Sequence, residues 1–144
     1  MSTGPYRFTT ERDMENWLCY TGLQTLDHRL IRRQIRIRAR GRADVLSYGP
    51  SLSSGAPCYL LWELKNVRAR ARDFTQIIRY AHSLRVAYPS LEMVIGAPSF
   101  HADLKMIASE VDTLILAYMN TDTLDPWINT ISGHIRPERE AVFE

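Results

Sequence analysis

A run of apolar residues that ends in two opposite charges constrains this chain more than any other feature. The segment Cys58-Tyr59-Leu60-Leu61-Trp62 is apolar at every position, which is typical of a strand that is covered on both faces. Glu63 and Lys65 follow at positions i and i+2, which lie on the same face of a strand. Charges beside a dry core are costly unless they are paired or bind a metal. The pattern therefore predicts a sandwiched sheet with a functional site at the end of this strand.

Length and composition favour one intracellular domain. The chain has 144 residues, 45% of them apolar, which is enough for a single core. No segment approaches the roughly 20 apolar residues of a membrane span, and the first residues lack the apolar stretch of a secretion signal. We therefore expect one cytoplasmic domain over residues 1–144, with a core at about 10–119 and a C-terminal extension at 120–144. Cys19 and Cys58 have neither metal-site nor redox-site spacing, so we expect two reduced, largely buried thiols.

Positive charge is concentrated in the middle of the chain. Residues 29–85 carry twelve Arg and one Lys against three acids, a net charge of +10, whereas residues 1–28 carry −2 and residues 86–144 carry −6. Sixteen of the eighteen basic residues are Arg, whose planar fork can donate two parallel hydrogen bonds to a phosphate. Seven of them lie between residues 29 and 42 with no acid among them, which favours a nucleic acid as the partner.

Ten arginines are candidates for phosphate contacts, and Arg32 and Arg33 are two of them. Alternation along an extended strand would place four of them on one face and three others on a second face. The first set is Arg36, Arg38, Arg40 and Arg42, the second is Arg68, Arg70 and Arg72, and Arg79 lies on a predicted helix.

Hydrophobic periodicity predicts the order helix, three strands, helix, strand, helix, strand. The helices are expected at about 10–23, 73–88 and 100–110, and the strands at about 30–40, 43–48, 58–65, 91–97 and 111–119. A short helix is also expected to begin at residues 125–127. The early strands should form an antiparallel hairpin, whereas the later strand–helix–strand unit implies parallel pairing. The predicted fold class is α/β, with a mixed central sheet of about five strands flanked by helices (αβββαβ followed by αβ).

Asp44 lies on the strand before the apolar one, which makes it a partner for Glu63. If the two strands pair as a hairpin, both carboxylates reach one end of the sheet and form a hard oxygen site for Mg²⁺ or Mn²⁺. The backbone carbonyl of Leu64 is a candidate third ligand. Lys65 would orient the attacking water and neutralise the charge that develops on the phosphate. The alternative interpretation is a surface salt bridge between Glu63 and Lys65.

Three helical residues are further candidates for the site. Gln76 and Tyr80 are spaced i, i+4 on the second predicted helix, off its apolar stripe, and begin eleven residues after Lys65. They are therefore expected to lie over the active end of the sheet, the alternative being a solvated helix face. Glu15, on the first helix, is a candidate further carboxylate for a second ion, the alternative being an ordinary exposed acid.

Together these residues resemble the PD-(D/E)XK nuclease superfamily, and within it the nuclease domain of NucS/EndoMS-type endonucleases. The resemblance runs from about residue 10 to residue 119. It rests on short pieces in a fixed order: Glu15, Arg33-Gln34, the segment 41–46, the segment 62–65, and the segment 76–80. It implies a restriction-endonuclease-like core and catalytic roles for Glu15, Asp44, Glu63, Lys65, Gln76 and Tyr80. Since nine residues precede the first predicted helix, the family's N-terminal DNA-binding and dimerisation domain is not expected, and mismatch recognition does not carry over.

The function expected from these features is that of a Mg²⁺-dependent endonuclease acting on DNA. A homodimer would allow both strands to be cut, and RNA stays open as a substrate because phosphate contacts read charge more than sugar. A Holliday-junction resolvase of the same superfamily is the first alternative, since the size and basic surface suit it. A non-catalytic nucleic-acid-binding or inhibitor module on the same fold is the second.

Overall fold

A computed structural model describes residues 5–37, 41–122 and 133–137 of the chain. The strands are β1 (Arg29–Arg36), β2 (Arg42–Pro50), β3 (Pro57–Leu64), β4 (Leu91–Ala97), β5 (Leu114–Thr121) and β6 (Gly133–Pro137). The helices are α1 (Glu11–Trp17), α2 (Leu23–Thr25), α3 (Ala71–Leu84) and α4 (Ala102–Glu110), and a π-helical turn, Leu18–Gly22, joins α1 to α2. The predicted α/β class and element order are confirmed.

The strands form one mixed sheet in the order β1-β2-β3-β4-β5-β6. The pairs β1–β2, β2–β3 and β5–β6 are antiparallel, whereas β3–β4 and β4–β5 are parallel. Helices α3 and α4 make the two connections between the parallel strands, since such strands need a crossover. The mixed sheet was predicted correctly, but it has six strands in the described residues rather than about five.

Two hydrophobic clusters cover the two faces of the sheet. The first contains Leu61 of β3 together with Ile77 of α3 and Leu104 of α4. The second contains Trp62, the next residue of β3, together with Met14 of α1. Neighbouring residues of a strand point to opposite faces, so β3 is buried on both sides, as its unbroken apolar run predicted.

The first helix begins as the sequence predicts but contains an unpredicted π-helical turn. The side chain of Thr10 accepts a hydrogen bond from the Asp13 amide at 3.0 Å, which caps α1. Further along, the Leu23 amide donates to the Leu18 carbonyl, five residues back. A Cβ at Gly22 would come within 2.9 Å of Ile135, so glycine is needed where β6 packs on this turn.

The first strand is shorter than predicted, which changes where its arginines lie. β1 ends at Arg36, which pairs across the hairpin with Arg42 of β2. The Ile37 amide donates to the Gly41 carbonyl at 2.8 Å, and Gly41 has φ +112°, a conformation that favours glycine. The predicted first strand, residues 30–40, is therefore too long, because the chain reverses after Arg36. As directly paired residues, Arg36 and Arg42 lie on the same face of the hairpin. Arg38 and Arg40 lie outside the described residues.

The C-terminal extension contributes to the sheet, contrary to the predicted core boundary at residue 119. β6 pairs with β5, and Tyr6 forms a bridge with Thr121 through hydrogen bonds of 2.7 and 2.8 Å. The helix expected to begin at residues 125–127 lies outside the described residues. No helix in the described ranges combines the length and the apolar character that crossing a membrane requires. Cys19 and Cys58 are free thiols, half-buried and buried respectively, as predicted.

Candidate active site

The β2–β3 hairpin brings Asp44 and Glu63 together, as the sequence predicted. Val45 pairs with Trp62, so Asp44 and Glu63 are the next residues along these two antiparallel strands. The Asp44 carboxylate accepts a hydrogen bond from the Leu64 amide at 2.7 Å. This bond fixes Asp44 against the end of β3, directly beside the residue that follows Glu63.

Glu63 is buried, and part of its carboxylate lacks a partner. The residue is only 4% exposed, and its Oε2 atom is buried without a hydrogen bond. No salt bridge among the described residues joins Glu63 to Lys65; the Lys65 ammonium instead lies 3.7 Å from the Asp73 carboxylate. The interpretation of Glu63 and Lys65 as a surface salt bridge is therefore wrong. A buried carboxylate oxygen without a partner is costly, which makes Glu63 the most unusual group in the sheet.

Burial and the charges of neighbouring acids hold both carboxyls above their usual pKa. Burial, and then the charge of Asp44, raises the pKa of Glu63 to about 8, while Lys65 acts in the opposite direction. Burial also raises the pKa of Asp44 to about 6, despite the opposing hydrogen bond from the Leu64 amide. Such a pair binds protons readily, and a cation would stabilise its charged form instead.

Asp73, at the start of α3, was not predicted as a site residue. One of its oxygens accepts from the Arg70 amide at 2.8 Å and so caps α3, while the other faces Lys65. Asp73 is only 7% exposed. It is the only acid between Glu63 and Glu92, and this isolation within a basic segment is the sequence signal that would have identified it.

Gln76 and Tyr80 occupy different environments on α3. Gln76 lines a cavity of about 420 Å³ together with Lys65 and Asp73, so it reaches the predicted end of the sheet. Tyr80 packs in the core and is only 4% exposed, so its predicted place off the apolar stripe is wrong. Ile77 and Ala81 of α3 are also buried, so the ring belongs to the buried face of this helix. The Gln76 amide donates to the Tyr80 hydroxyl at 2.9 Å, which holds Gln76 toward the cavity.

Glu15 is buried rather than exposed, which excludes the interpretation of an ordinary surface acid. Arg33 binds its Oε2 atom through Nη2 at 2.6 Å and through Nε at 2.9 Å, and Gln34 donates to Oε1. Gln34 adopts φ +49°, an uncommon conformation for a residue other than glycine. Both oxygens already accept hydrogen bonds, so Glu15 is held rigidly on the α1 side of the site.

A cleft of about 830 Å³ opens over the end of the sheet. Its walls contain the acids Glu15 and Asp44 and the last residue of β3, Leu64. Glu11 lines this cleft and also the smaller cavity beside Lys65, so it joins the two spaces. Glu11 was not predicted as a site residue, although its position one helical turn before Glu15 could have indicated it.

The predicted phosphate-binding arginines are divided between these spaces and the surface. Arg33 and Arg42 line the large cleft, together with Arg12, which was not predicted. Arg68 and Arg72 line the smaller cavity. The side chains of Arg36, Arg70 and Arg79 are exposed. The predicted common strand face for Arg68, Arg70 and Arg72 is wrong, because Arg72 belongs to the first turn of α3 and successive helical residues point in different directions.

The donor atoms at this end of the sheet suit a small hard cation. Within residues 5–37, 41–122 and 133–137, no group of three or more His, Cys, Asp and Glu side chains is placed to hold a metal. Mg²⁺, however, keeps several waters and commonly uses only one or two carboxylates. Asp44 and Glu63 supply two, one of them with an unpartnered buried oxygen, so the residues fit such an ion.

Solved structures similar to this chain include a repair endonuclease and EndoMS. A crystal structure of a repair endonuclease from Pyrococcus abyssi matches with a TM-score of 0.60 and 22% identity, over 81% of this chain and 47% of that chain. A complex of EndoMS with double-stranded DNA matches with a TM-score of 0.61 and 18% identity, over 88% and 48%. Apo EndoMS matches with a TM-score of 0.54 and 18% identity, over 81% and 47%. The chain has a NucS/EndoMS-like nuclease fold.

This fold confirms the predicted resemblance and the restriction-endonuclease-like architecture. The chain spans just under half the length of these NucS/EndoMS structures. No protein-family model and no curated protein sequence matches it significantly. At 18–22% identity the likeness concerns the fold, so the roles of individual residues rest on the geometry of this chain.

Proposed function

We propose that this chain is a metal-dependent nuclease that cuts DNA phosphodiester bonds endonucleolytically. The observation that carries the proposal is the buried Glu63 carboxylate, with one oxygen unpartnered, beside Asp44 and under the influence of Lys65. Such an arrangement costs folding free energy, since an unsatisfied buried polar group is destabilising by about 1–3 kcal/mol. The likeness to a repair endonuclease, and to EndoMS solved with double-stranded DNA, supports the same function.

In this proposal Asp44, Glu63 and the Leu64 carbonyl hold Mg²⁺ or Mn²⁺. The bound ion would supply Lewis acidity toward the phosphate and lower the pKa of a bound water. The Leu64 amide orients Asp44 through its 2.7 Å hydrogen bond, so that one carboxylate is fixed before the ion arrives. Glu63 and Asp44 would bind the ion in their charged forms, so cation affinity should increase with pH.

Lys65 has the second role, at the reacting phosphate. Its ammonium would orient the attacking water and neutralise the negative charge that develops on the phosphate oxygens. Asp73 holds this ammonium at 3.7 Å, and Gln76 lines the same cavity. On the opposite side, Glu15 is fixed by Arg33 and lines the cleft together with Asp44, as a candidate partner for a metal-bound water or a second ion.

Exposed and cleft-lining arginines would bind the DNA backbone. Arg42 lies in the large cleft and Arg68 and Arg72 in the smaller cavity, whereas Arg36 and Arg79 are exposed. Each phosphate contact releases condensed counterions, so affinity should fall steeply between low and physiological salt. Binding that does not change with salt would contradict this part of the proposal. In this proposal the protein acts on DNA inside the cell, which its likeness to a repair endonuclease supports.

Plasmid cleavage tests the proposal directly. The wild-type protein is incubated with supercoiled plasmid in Mg²⁺, Mn²⁺ or EDTA, beside Asp44→Asn and the control Asp112→Asn, an exposed acid outside the site. Nicked and linear products should form with metal only, and Asp44→Asn should abolish them while Asp112→Asn should not. Linear product that appears without a nicked intermediate would indicate paired sites in a homodimer.

Two further measurements test metal binding and define the substrate. Calorimetric titration with Mn²⁺ should show binding to the wild type and to Asp112→Asn, and much weaker binding to Asp44→Asn. A panel of single strands, duplex, flap, four-way junction and RNA defines the substrate. Absence of cleavage across the whole panel, or undiminished cleavage by Asp44→Asn, would overturn the proposal.

A further inference from the structure

Tyr20 is exposed at the mouth of the large cleft. Its side chain is 69% exposed, whereas every other aromatic residue in the described part of the chain is buried or half-buried. It lines the same 830 Å³ cleft as Asp44 and Glu15. It lies in the π-helical turn Leu18–Gly22, and such turns are frequent at functional sites because they redirect side chains. Core packing therefore does not account for this ring.

Arg33 orients the ring. The centre of the Arg33 guanidinium lies 5.7 Å from the centroid of the Tyr20 ring, within the range of a cation–π contact. Arg33 is itself fixed, because it binds Glu15 at 2.6 Å and Asn16 at 2.6 Å. The aromatic surface is thus held in place by the same residue that holds Glu15.

The surroundings of the ring combine an aromatic surface with positive charge. Arg12, Arg33 and Arg42 line the cleft beside Tyr20. Arginine binds phosphate through its planar fork, and an aromatic ring binds a nucleobase by stacking, which is the combination found in grooves for single-stranded nucleic acid. In a paired duplex the faces of the bases are covered by their neighbours, so only an unpaired base can stack on a protein ring.

We propose that Tyr20 is a stacking platform for an unpaired nucleobase adjacent to the phosphate that is cut. The inference rests on the proposed nuclease function and deepens it, because it gives the cleft a preference for DNA with an unpaired nucleotide over a continuous duplex. Tyr20 acts as a binding residue, whereas Asp44 and Glu63 serve the reaction.

Binding in EDTA tests the platform without hydrolysis. The probes are a short single strand that carries one 2-aminopurine, whose fluorescence falls on stacking, and a blunt duplex of the same sequence. Tyr20→Ala is compared with Tyr20→Trp, which keeps a stacking surface, and with Met106→Ala, an equally exposed apolar residue on α4 that is 71% exposed. Thermal unfolding checks that each variant folds.

The expected result is selective. Stacking of one base is worth about 1–3 kcal/mol, so Tyr20→Ala should weaken single-strand binding about tenfold and abolish the fluorescence decrease. Tyr20→Trp and Met106→Ala should retain both, and duplex binding should be unchanged in all three. Equal loss on both probes would overturn the platform, because it would show that Tyr20 only supports Arg33 and Glu15; no loss on either probe would overturn it as well. Since no hydrolysis is needed, this result is independent of whether the plasmid assay succeeds.

Discussion

The two ends of the central strands differ in whether their buried polar groups are hydrogen bonded. At the end where β3 begins, Glu92 accepts a hydrogen bond from Ser51 at 2.7 Å. Close by, the His28 ring lies 2.9 Å from the hydroxyl of fully buried Ser47. At the end where β3 finishes, Glu63 keeps an unpartnered buried oxygen.

The difference separates stability from function. Polar groups with complete hydrogen bonding fix the packing of a sheet, whereas an unsatisfied buried carboxylate weakens the fold and persists where a ligand or a reaction uses it. Substitutions at the end that contains Ser47 and Glu92, here called the partnered end, should therefore reduce stability and leave cleavage intact. Substitutions at the end that contains Glu63 should reduce cleavage and leave stability intact.

The largest expected effect is the loss of activity in Glu63→Gln. The amide keeps the volume of the side chain but removes the charge that would bind the cation, so cleavage should fall on the order of 10²–10³-fold or more. Stability should stay the same or rise, because a neutral group replaces a desolvated carboxyl. The matched variant Glu92→Gln, at the other end of the sheet, should keep its activity. Plasmid cleavage rates and urea unfolding are measured for both variants. An equal loss of activity in the two would contradict the functional difference between the two ends of the sheet.

The pH dependence of stability should show the second largest effect. The folded-state pKa values of Glu63 and Asp44, about 8 and about 6, lie above the ordinary values of 4.5 and 3.8. Between the ordinary and the raised values the folded state binds more protons than the unfolded state. The free energy of unfolding should therefore fall as pH rises from 4.5 to 8, by up to about 1.4 kcal/mol per pH unit for each proton.

Urea unfolding in EDTA across that range measures this dependence. Glu63→Gln should flatten the curve, and Mg²⁺ at pH 8 should restore stability to the wild type, because the cation replaces the lost protons. A wild-type curve that is flat or rises in EDTA would show that the two carboxyls are not held above their ordinary pKa.

A smaller effect, on stability alone, is expected at the partnered end. The Ser47 hydroxyl accepts from the Trp62 indole at 3.0 Å and bonds the His28 ring at 2.9 Å. Ser47→Ala leaves buried polar groups unsatisfied and should destabilise the protein by about 1–3 kcal/mol. Ser83→Ala, on the exposed face of α3, serves as the control. Reduced cleavage by folded Ser47→Ala would show that the two ends are coupled.

The sequence predicts the parts of the site that depend on local pattern. The apolar run of β3 fixes its burial, and hairpin pairing with β2 follows from the turn-rich loop between them, so Asp44 and Glu63 meet. The long stripe of α3 and the strand–helix–strand order likewise predict the parallel centre of the sheet. These features need no knowledge of how the layers pack.

Other features depend on packing and carry little local signal. β6 has only five residues, and they include Gly133 and Pro137, so its sequence does not predict a strand. It forms a strand because it pairs with the edge of β5. The π-helical turn inserts one residue where Gly22 lets β6 approach, which periodicity does not reveal. The burial of Tyr80 and the contact of Lys65 with Asp73 follow from the way α3 lies on the sheet.

The smallest effect tests whether Asp73 belongs to the site or only to the helix. Asn at this position can still accept from the Arg70 amide, so Asp73→Asn should keep the cap and the fold. It removes the charge beside Lys65, whose ammonium is then held less firmly, so kcat should fall about tenfold with little change in KM. Asp103→Asn is a matched control, because Asp103 also accepts from the start of α3, at the Ala71 amide, but is exposed and lies away from Lys65.

Kinetics on one DNA substrate, with thermal unfolding of both variants, separate the two roles. A structural role for Asp73 would give equal kinetics in the two variants and a lower melting temperature in Asp73→Asn alone. A positioning role gives lower kcat without loss of stability, because the second oxygen of Asp73 then acts through Lys65. That outcome would extend the functional end of the sheet from β2 and β3 to the first turn of α3. The functional end would then be defined by the residues that position Lys65 as well as by the buried Glu63 carboxylate.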